Sequence, residues 1–208
     1  MPRVSLALLA SAAAGCVLAS SAAAGHRRPL QHVTIFGDSV AAALDWDATA
    51  RAVLARGDRL TLDLAPCRRL TQPGCISPPP PSVLHDVRSL GRRIGPTVVV
   101  LVGYNDDPHV YARGIGTVLR ALRRDGVRHV LWLTLRAVYE QYVLINEVIR
   151  GAAARFRWMT VLDWNAYSRG HPAWFAADGI HLSAAGAVAF ARFVHRALRR
   201  LGLTGPPR

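Results

Sequence analysis

The chain has 208 residues, a length that suits one compact domain with a sizeable core, and its formal net charge is +13. All 26 basic residues are arginine, and several arginine pairs fall near the C-termini of predicted helices, where they complement the helix dipole. This scattered pattern argues against a specific nucleic-acid surface and leaves open an attraction to anionic cell-envelope material.

The first 24 residues have the layout of a secretory signal peptide. Arg3 supplies a positive charge, residues 4–18 are apolar and small, and residues 20–24 offer Ala-x-Ala cleavage choices. The apolar stretch is too short for a membrane span, and no other segment reaches that length. Residues 25–208 are therefore expected to form a single soluble, exported domain, with a monomer as the default.

The three cysteines have different surroundings. Cys16 falls within the predicted signal segment and follows a weak version of a lipoprotein attachment site, so lipid anchoring through Cys16 is the alternative to secretion. Cys67 and Cys75 remain as an even pair, which in an exported chain favours a disulfide over free thiols. A metal site is the other alternative for this pair, but no nearby histidine or cysteine completes one.

Apolar, strand-like runs alternate with helix-like stretches along the chain. The strand-like runs lie at residues 32–36, 60–64, 97–102, 129–135 and 159–163. The helix-like stretches lie at residues 40–55, 83–94, 111–125, 141–154 and 183–201. This alternation predicts right-handed crossovers and an α/β fold in which helices cover both faces of a five-stranded parallel sheet.

The longest irregular segment covers residues 65–82 and contains both Cys67 and Cys75. Its proline run at residues 78–81 cannot be helical and favours an extended, stiff backbone. A simple surface connection explains this segment, and so does a pocket wall, because ligands of such sheets bind outside the carboxyl ends of the strands.

Ser39 follows Gly37-Asp38 where the first predicted strand ends and a predicted helix begins. A tight glycine turn at this point would expose the Ser39 hydroxyl at the edge of the sheet, close to the positive end of the helix. A serine that only caps the helix is the alternative.

Two further motifs complete the inventory that nucleophilic catalysis needs. Asp178 lies three residues before His181, a spacing that would let the carboxylate hold one ring nitrogen while the other takes a proton from Ser39. Asn105 follows Gly103 after the third predicted strand, where its amide could stabilise an oxyanion. A helix cap beside an incidental histidine and an Asx turn are the plain alternatives.

Together these motifs resemble those of the SGNH (GDSL-type) hydrolase family. Gly37-Asp38-Ser39 is similar to the first block of the family, Gly103-Tyr104-Asn105 to the third, and residues 178–182 to the fifth. The resemblance spans roughly residues 33–201. It implies a flavodoxin-like, three-layer α/β/α fold and ester hydrolysis by a Ser39-His181-Asp178 triad, without a metal or other cofactor.

The second block departs from the family pattern, which supplies a glycine N–H to the oxyanion hole. Here the sequence after the second strand reads Ala65-Pro66-Cys67-Arg68-Arg69, so the N–H of Arg68 or Arg69 is the expected donor beside Ser39 and Asn105. Similar cysteine-arginine loops occur in some exported members and in relatives fused to membrane acyltransferases. That likeness implies cell-envelope or carbohydrate esters.

Three further side chains near strand ends are candidates to line a substrate pocket: Tyr104, Arg136 and Trp174. The expected function is therefore an exported esterase for small-molecule or carbohydrate esters, with short acyl groups because no long apolar lid segment is present. An O-acyltransferase and a non-catalytic envelope-binding domain of the same fold are the alternatives.

Overall fold

The computed structural model describes residues 30–205, so the predicted signal segment and Cys16 lie outside the described residues. Five strands form one sheet in the order β2-β1-β3-β4-β5, and every neighbouring pair is parallel. The strands are β1 (Gln31–Gly37), β2 (Asp58–Leu64), β3 (Thr97–Leu101), β4 (His129–Leu133) and β5 (Met159–Leu162). The predicted fold class is confirmed, and all five strands lie where the apolar runs placed them.

Seven α-helices lie within the described residues. They are α1 (Ala43–Trp46), α2 (Ala48–Leu54), α3 (Val83–Leu90), α4 (Pro108–Arg124), α5 (Glu140–Arg155), α6 (Trp164–Tyr167) and α7 (Ala184–Arg200). None of them is long and apolar enough to cross a membrane. α2 packs on α7, while α4 packs against both α3 and α5, so two helical layers enclose the sheet.

The single helix expected over residues 40–55 is wrong. Residues 39–42 form turns, and α1 and α2 are separated at Asp47, whose backbone is extended. The Asp47 side chain caps α2 by accepting the Ala50 N–H at 2.8 Å. An aspartate competes well for this capping geometry, which ends one helix and begins the next. The first helix therefore begins four residues after Ser39 rather than directly after it.

The centre of the sheet is buried and mostly apolar, and it anchors the turn that follows β3. All five residues of β3 are buried, as expected for a parallel strand that is covered on both faces. The Tyr111 hydroxyl of α4 donates to the Val102 carbonyl at 2.9 Å and accepts from the Trp132 indole at 2.9 Å. Gly103 follows with φ +149, so the chain leaves the strand in a conformation that favours glycine.

Candidate active site

The turn after β1 brings Ser39 to the carboxyl edge of the sheet. A Cβ on Gly37 would collide with the side chains of Ala41 and Leu64, so only glycine allows the chain to turn this closely. Ser39 is half-buried, and its N–H has no acceptor among the residues that the structure describes. A free donor therefore lies directly beside the Ser39 hydroxyl.

Ser39, His181 and Asp178, which the sequence predicts to act together, lie in one hydrogen-bonded line. His181 Nε2 is 2.9 Å from Ser39 Oγ, and His181 Nδ1 is 2.6 Å from Asp178 Oδ2. With its proton on Nδ1, the imidazole donates to Asp178 and can accept the Ser39 proton at Nε2. Nearly half of the surface of each of the His181 and Asp178 side chains is exposed, so the site opens directly to solvent.

The Asp178 carboxylate is also bound by the backbone of its own loop. Its Oδ1 accepts the N–H groups of Ile180 at 2.8 Å and His181 at 3.0 Å. The hydrogen bond from the His181 side chain, followed by the one from the Ile180 N–H, lowers the pKa of Asp178 below its usual value. The carboxylate therefore stays ionised at neutral pH and is held in place for the imidazole.

Trp174 fixes the end of the loop that carries His181, where α7 begins. The Trp174 carbonyl accepts the Ser183 N–H at 3.0 Å, and Ser183 in turn caps α7 by accepting the Gly186 N–H at 3.1 Å. The Trp174 ring stacks on Trp164 with centroids 6.0 Å apart and on His171 at 3.8 Å. Trp174, a predicted pocket residue, thus packs behind the loop that carries Asp178 and His181.

Arg136, another predicted pocket residue, supports the same loop. Its guanidinium lies 4.0 Å from the centroid of the Phe175 ring, and its Nη1 donates to the Ser168 carbonyl at 3.2 Å. Its backbone N–H donates to the hydroxyl of Tyr104 at 2.8 Å. Tyr104, the third pocket candidate, is only 7% exposed, so its main contacts are with protein.

The motifs did not identify Asp38 as a residue that organises the site. Its buried carboxylate accepts the N–H groups of Gly103 and Tyr104, each at 3.3 Å, and that of Val40 at 3.0 Å. Burial raises its pKa to about 6, against the lowering effect of these hydrogen bonds. The signal was its position in Gly37-Asp38-Ser39, because a carboxylate at a strand end can accept N–H groups from the neighbouring strand's turn.

Asn105 lies in the turn after β3 and is bound to the loop after β2. Its side-chain Nδ2 donates to the backbone carbonyl of Arg68 at 3.3 Å, and its backbone carbonyl accepts a bond from Nε of Arg69 at 2.9 Å. Next to it, both carboxylate oxygens of Asp106 accept the Leu70 N–H at 3.1 Å. Burial raises the pKa of Asp106 to about 7. These bonds join the two loops beside the triad.

Arg68 serves a different purpose from the predicted one. Its N–H, one of the two expected oxyanion donors, donates instead to the Ala65 carbonyl at 3.4 Å. Its buried guanidinium pairs with Asp63 and Asp86, each at 2.7 Å. Arg68 therefore anchors the loop after β2 to α3 and to its own strand.

Cys67 and Cys75 form a disulfide, as the sequence predicts. Among residues 30–205, no cluster of histidine, cysteine or carboxylate side chains is arranged to hold a metal ion. The disulfide closes the first part of the irregular segment over the carboxyl edge of the sheet.

An exposed apolar surface borders the loop that carries Asp178 and His181. Val138 is 39% exposed, Tyr139 is 58% exposed, and Val138 Cγ1 lies 3.7 Å from the position that a Cβ on Gly179 would take. The exposed ring of Tyr139 packs on the buried ring of Tyr142, and their centroids are 5.6 Å apart. A separate cavity of about 760 Å³ lies between β5 and α7, and no triad residue lines it. The surface next to Gly179 is therefore the better candidate for contact with a substrate.

Comparison with known proteins shows the fold more clearly than the family. No family model matches the chain. Over 63 residues it is 38% identical to candidate O-acetyltransferases from Staphylococcus aureus strain MSSA476 and three other strains, which is 30% of this chain. The match spans only 10% of the length of those relatives.

Solved structures match over most of the chain. TesA superposes with a TM-score of 0.64 at 20% identity, and a candidate arylesterase from Agrobacterium tumefaciens strain C58 with a TM-score of 0.63 at 17% identity. Each alignment covers 82% of this chain and 99% of the other. At these identities the likeness establishes the three-layer α/β/α fold.

Proposed function

We propose that this protein is an exported serine esterase of the SGNH (GDSL-type) hydrolase type. The observation that carries the proposal is the line of two hydrogen-bond contacts, 2.9 Å from Ser39 Oγ to His181 Nε2 and 2.6 Å from His181 Nδ1 to Asp178 Oδ2. The three motifs that resemble the family lie together at one edge of the sheet, which further supports the proposal.

The proposed reaction has two halves. Ser39 Oγ attacks the carbonyl carbon of an ester while its proton passes to Nε2 of His181, and Asp178 stabilises the imidazolium. The tetrahedral intermediate collapses, the imidazolium protonates the leaving alkoxide, and an acyl group remains on Ser39. Water then gives a proton to His181 and attacks the acyl-enzyme, which releases the carboxylic acid and restores the Ser39 hydroxyl.

The oxyanion would be stabilised by donors from two neighbouring strand ends. The free N–H of Ser39 is one donor, and Nδ2 of Asn105 is the other, because its bond to the Arg68 carbonyl uses only one of its two hydrogens. Removal of a single donor of this kind typically lowers turnover about 10²- to 10³-fold. The Asn105→Ala variant should show a loss of this size.

The openness of the site supports small substrates. The side chains of His181 and Asp178 are nearly half exposed, and Val138 and Tyr139 form an exposed apolar surface beside their loop. We therefore propose short acyl groups, such as acetyl, on a small alcohol or a carbohydrate. The disulfide between Cys67 and Cys75 supports an oxidising compartment outside the cytoplasm.

An O-acyltransferase is the second candidate, because the chain shares 38% identity over 63 residues with the candidate O-acetyltransferases of Staphylococcus aureus. Both reactions pass through the same acyl-enzyme, and they differ only in whether water or a sugar hydroxyl accepts the acyl group. Product analysis with an acetyl ester and an added sugar distinguishes them. Acetylated sugar in excess of free acetate would favour the transferase.

The first experiment is intact-mass labelling with a fluorophosphonate, run on the wild type and on the Ser39→Ala variant. We expect one adduct on the wild type and none on the variant, with matching circular dichroism spectra for the two. The Ser89→Ala variant is the matched control, because Ser89 is an exposed residue of α3 that makes none of the site contacts, and this variant should still be labelled at Ser39. A folded wild type without an adduct would reject the esterase and favour a non-catalytic binding domain.

A further inference from the structure

The chain leaves β2 through a tight turn at Ala65-Pro66-Cys67-Arg68. The Arg68 N–H donates to the Ala65 carbonyl at 3.4 Å, which closes the turn. Pro66 occupies the second position and Cys67, with φ +56, the third. Proline followed by a residue with positive φ defines a type II turn, whose third position is normally glycine.

Cys67 is therefore held in a conformation that its side chain disfavours. Within residues 30–205 it is the one residue other than glycine with a positive φ. Backbone conformations of this kind persist only when the surrounding structure imposes them, and they concentrate at functional sites. The constraint on Cys67 thus requires a physical cause nearby.

Cys75 supplies that constraint. Its side chain forms the disulfide with Cys67, and its N–H donates to the Cys67 carbonyl at 3.2 Å. The sulfur atoms of both cysteines lie 3.8 Å from Oδ1 of Asn105. The disulfide therefore packs against the carboxamide that is proposed to bind the oxyanion.

The turn that contains Cys67 lies at the same edge of the sheet as Ser39. β1 lies between β2 and β3, and the Ala65 N–H continues the ladder to the Gly37 carbonyl at 3.1 Å. Cys67 after β2 and Asn105 after β3 thus meet across the end of β1, where Ser39 is presented. No acceptor binds the Cys67 N–H within the part of the chain that the structure describes.

We infer that the Cys67–Cys75 disulfide is a positioning element of the active site, which holds the Cys67 N–H as an oxyanion donor and fixes Asn105 beside it. This inference rests on the proposed esterase function. It assigns the Cys67 N–H the part that a glycine N–H plays in the family pattern, and it makes turnover depend on the backbone conformation that the bond imposes at position 67.

Two double variants test the inference because they remove the same bond but leave different residues at position 67. In C67A/C75A the turn must hold an alanine at positive φ, whereas in C67G/C75A glycine adopts that conformation freely. We expect kcat on a short-chain ester to fall about 10- to 100-fold in C67A/C75A, with KM nearly unchanged, because the donor is displaced. We expect C67G/C75A to recover at least half of that loss on a logarithmic scale. The control is Ile76→Ala in the same loop, whose side chain is 47% exposed and which should keep the wild-type kcat.

The readouts separate positioning from simple stabilisation. Both double variants lose the cross-link, so a purely structural bond would lower their melting temperatures and leave kcat per folded molecule at the wild-type value in both. That result would overturn the inference, and so would an equal loss of kcat in the two variants. An oxidised wild type that neither takes up a fluorophosphonate nor hydrolyses esters would instead reject the proposed function itself.

Discussion

The buried carboxylate of Asp38 accepts the backbone N–H of Tyr104 at 3.3 Å, so the turn that presents Ser39 is bound directly to the turn that presents Asn105. The two turns belong to neighbouring strands, β1 and β3, and a second bond from the Gly103 N–H reinforces the connection. One fully buried carboxylate therefore helps to fix the distance between the proposed nucleophile and its oxyanion donor.

The Asp38→Asn variant tests this connection. Oδ2 of Asp38 accepts from Gly103 and Tyr104, and Oδ1 accepts from Val40. An asparagine has only one acceptor oxygen, so its amide donor must face the N–H groups on one of these two sides, and the bonds on that side are lost. We expect kcat to fall about 10- to 100-fold with little change in KM, since misplacement of a donor by about 1 Å costs this much. Steady-state kinetics on an acetyl ester measures the effect. Unchanged kcat with lowered stability would show that Asp38 supports only the fold.

Asp178→Asn tests the orientation of the imidazole. The asparagine oxygen can still accept the N–H groups of Ile180 and His181, but its amide nitrogen cannot accept a proton from Nδ1 of His181. We expect turnover to fall at least about 100-fold, with the melting temperature within a few degrees of the wild type. The matched control is Asp45→Asn, an exposed aspartate on α1, which should retain full activity. Equal activity in the Asp178 variant would remove it from the mechanism.

The sequence could predict the fold and the residues that meet at the site for one physical reason. Parallel strands that are buried on both faces read as continuous apolar runs, and their carboxyl ends share one edge of the sheet. Side chains such as Ser39 and Asn105, each just after such a run, must then lie near one another. The structure brings Asp178 and His181 to the same edge, while the catalytic roles of these residues stay predictions.

The contacts of the irregular segment could not be predicted in the same way. The hydrogen bonds from Arg69 to Asn105 and from Leu70 to Asp106 join loops more than 30 residues apart in the sequence. The periodicity of apolar residues does not predict such pairs. The sequence suggested a role for the backbone N–H of Arg68, whereas its guanidinium is buried and pairs with two aspartates. Arginine side chains are rarely buried, so this pairing could not be expected from the sequence. The positive φ of Cys67 likewise depends on a cross-link and a turn acting together.

Gly186→Ala tests how tightly the loop that carries Asp178 and His181 is fixed to α7. A Cβ at this position would overlap the Trp174 carbonyl, so the loop must move away from the helix. We expect the free energy of unfolding to fall by about 1–3 kcal/mol, measured by urea denaturation, and kcat to fall with it. Gly151→Ala on α5 is the matched control, because a Cβ there meets nothing within 4 Å and alanine favours a helix. A Gly186 variant as stable as the Gly151 variant would contradict the prediction.

Tyr139→Ala tests the apolar surface of Val138 and Tyr139, which lies beside the loop that carries Asp178 and His181. Loss of the exposed ring should raise KM about fivefold for esters with a bulky alcohol, because about 1 kcal/mol of apolar contact is removed, and should leave kcat nearly unchanged. KM for a methyl ester should change less, since a small alcohol does not reach the ring. Leu201→Ala is the control, an exposed leucine just beyond the far end of α7. An equal rise in KM for both esters would place the ring outside the alcohol subsite.

Asp106→Asn tests the buried carboxylate that joins the two loops. Burial raises the pKa of Asp106 from an ordinary value near 3.8 to about 7, so the folded state holds this proton more tightly than the unfolded state does. The contribution of Asp106 to stability is therefore greatest at acidic pH and is lost as the pH rises toward 7. Relative to Asp106→Asn, which does not titrate, the wild type should lose about 2–3 kcal/mol of unfolding free energy between pH 5 and pH 8. Urea denaturation of both proteins across that range measures the difference, and a constant difference would mean that the carboxylate is already ionised in the folded protein at pH 5.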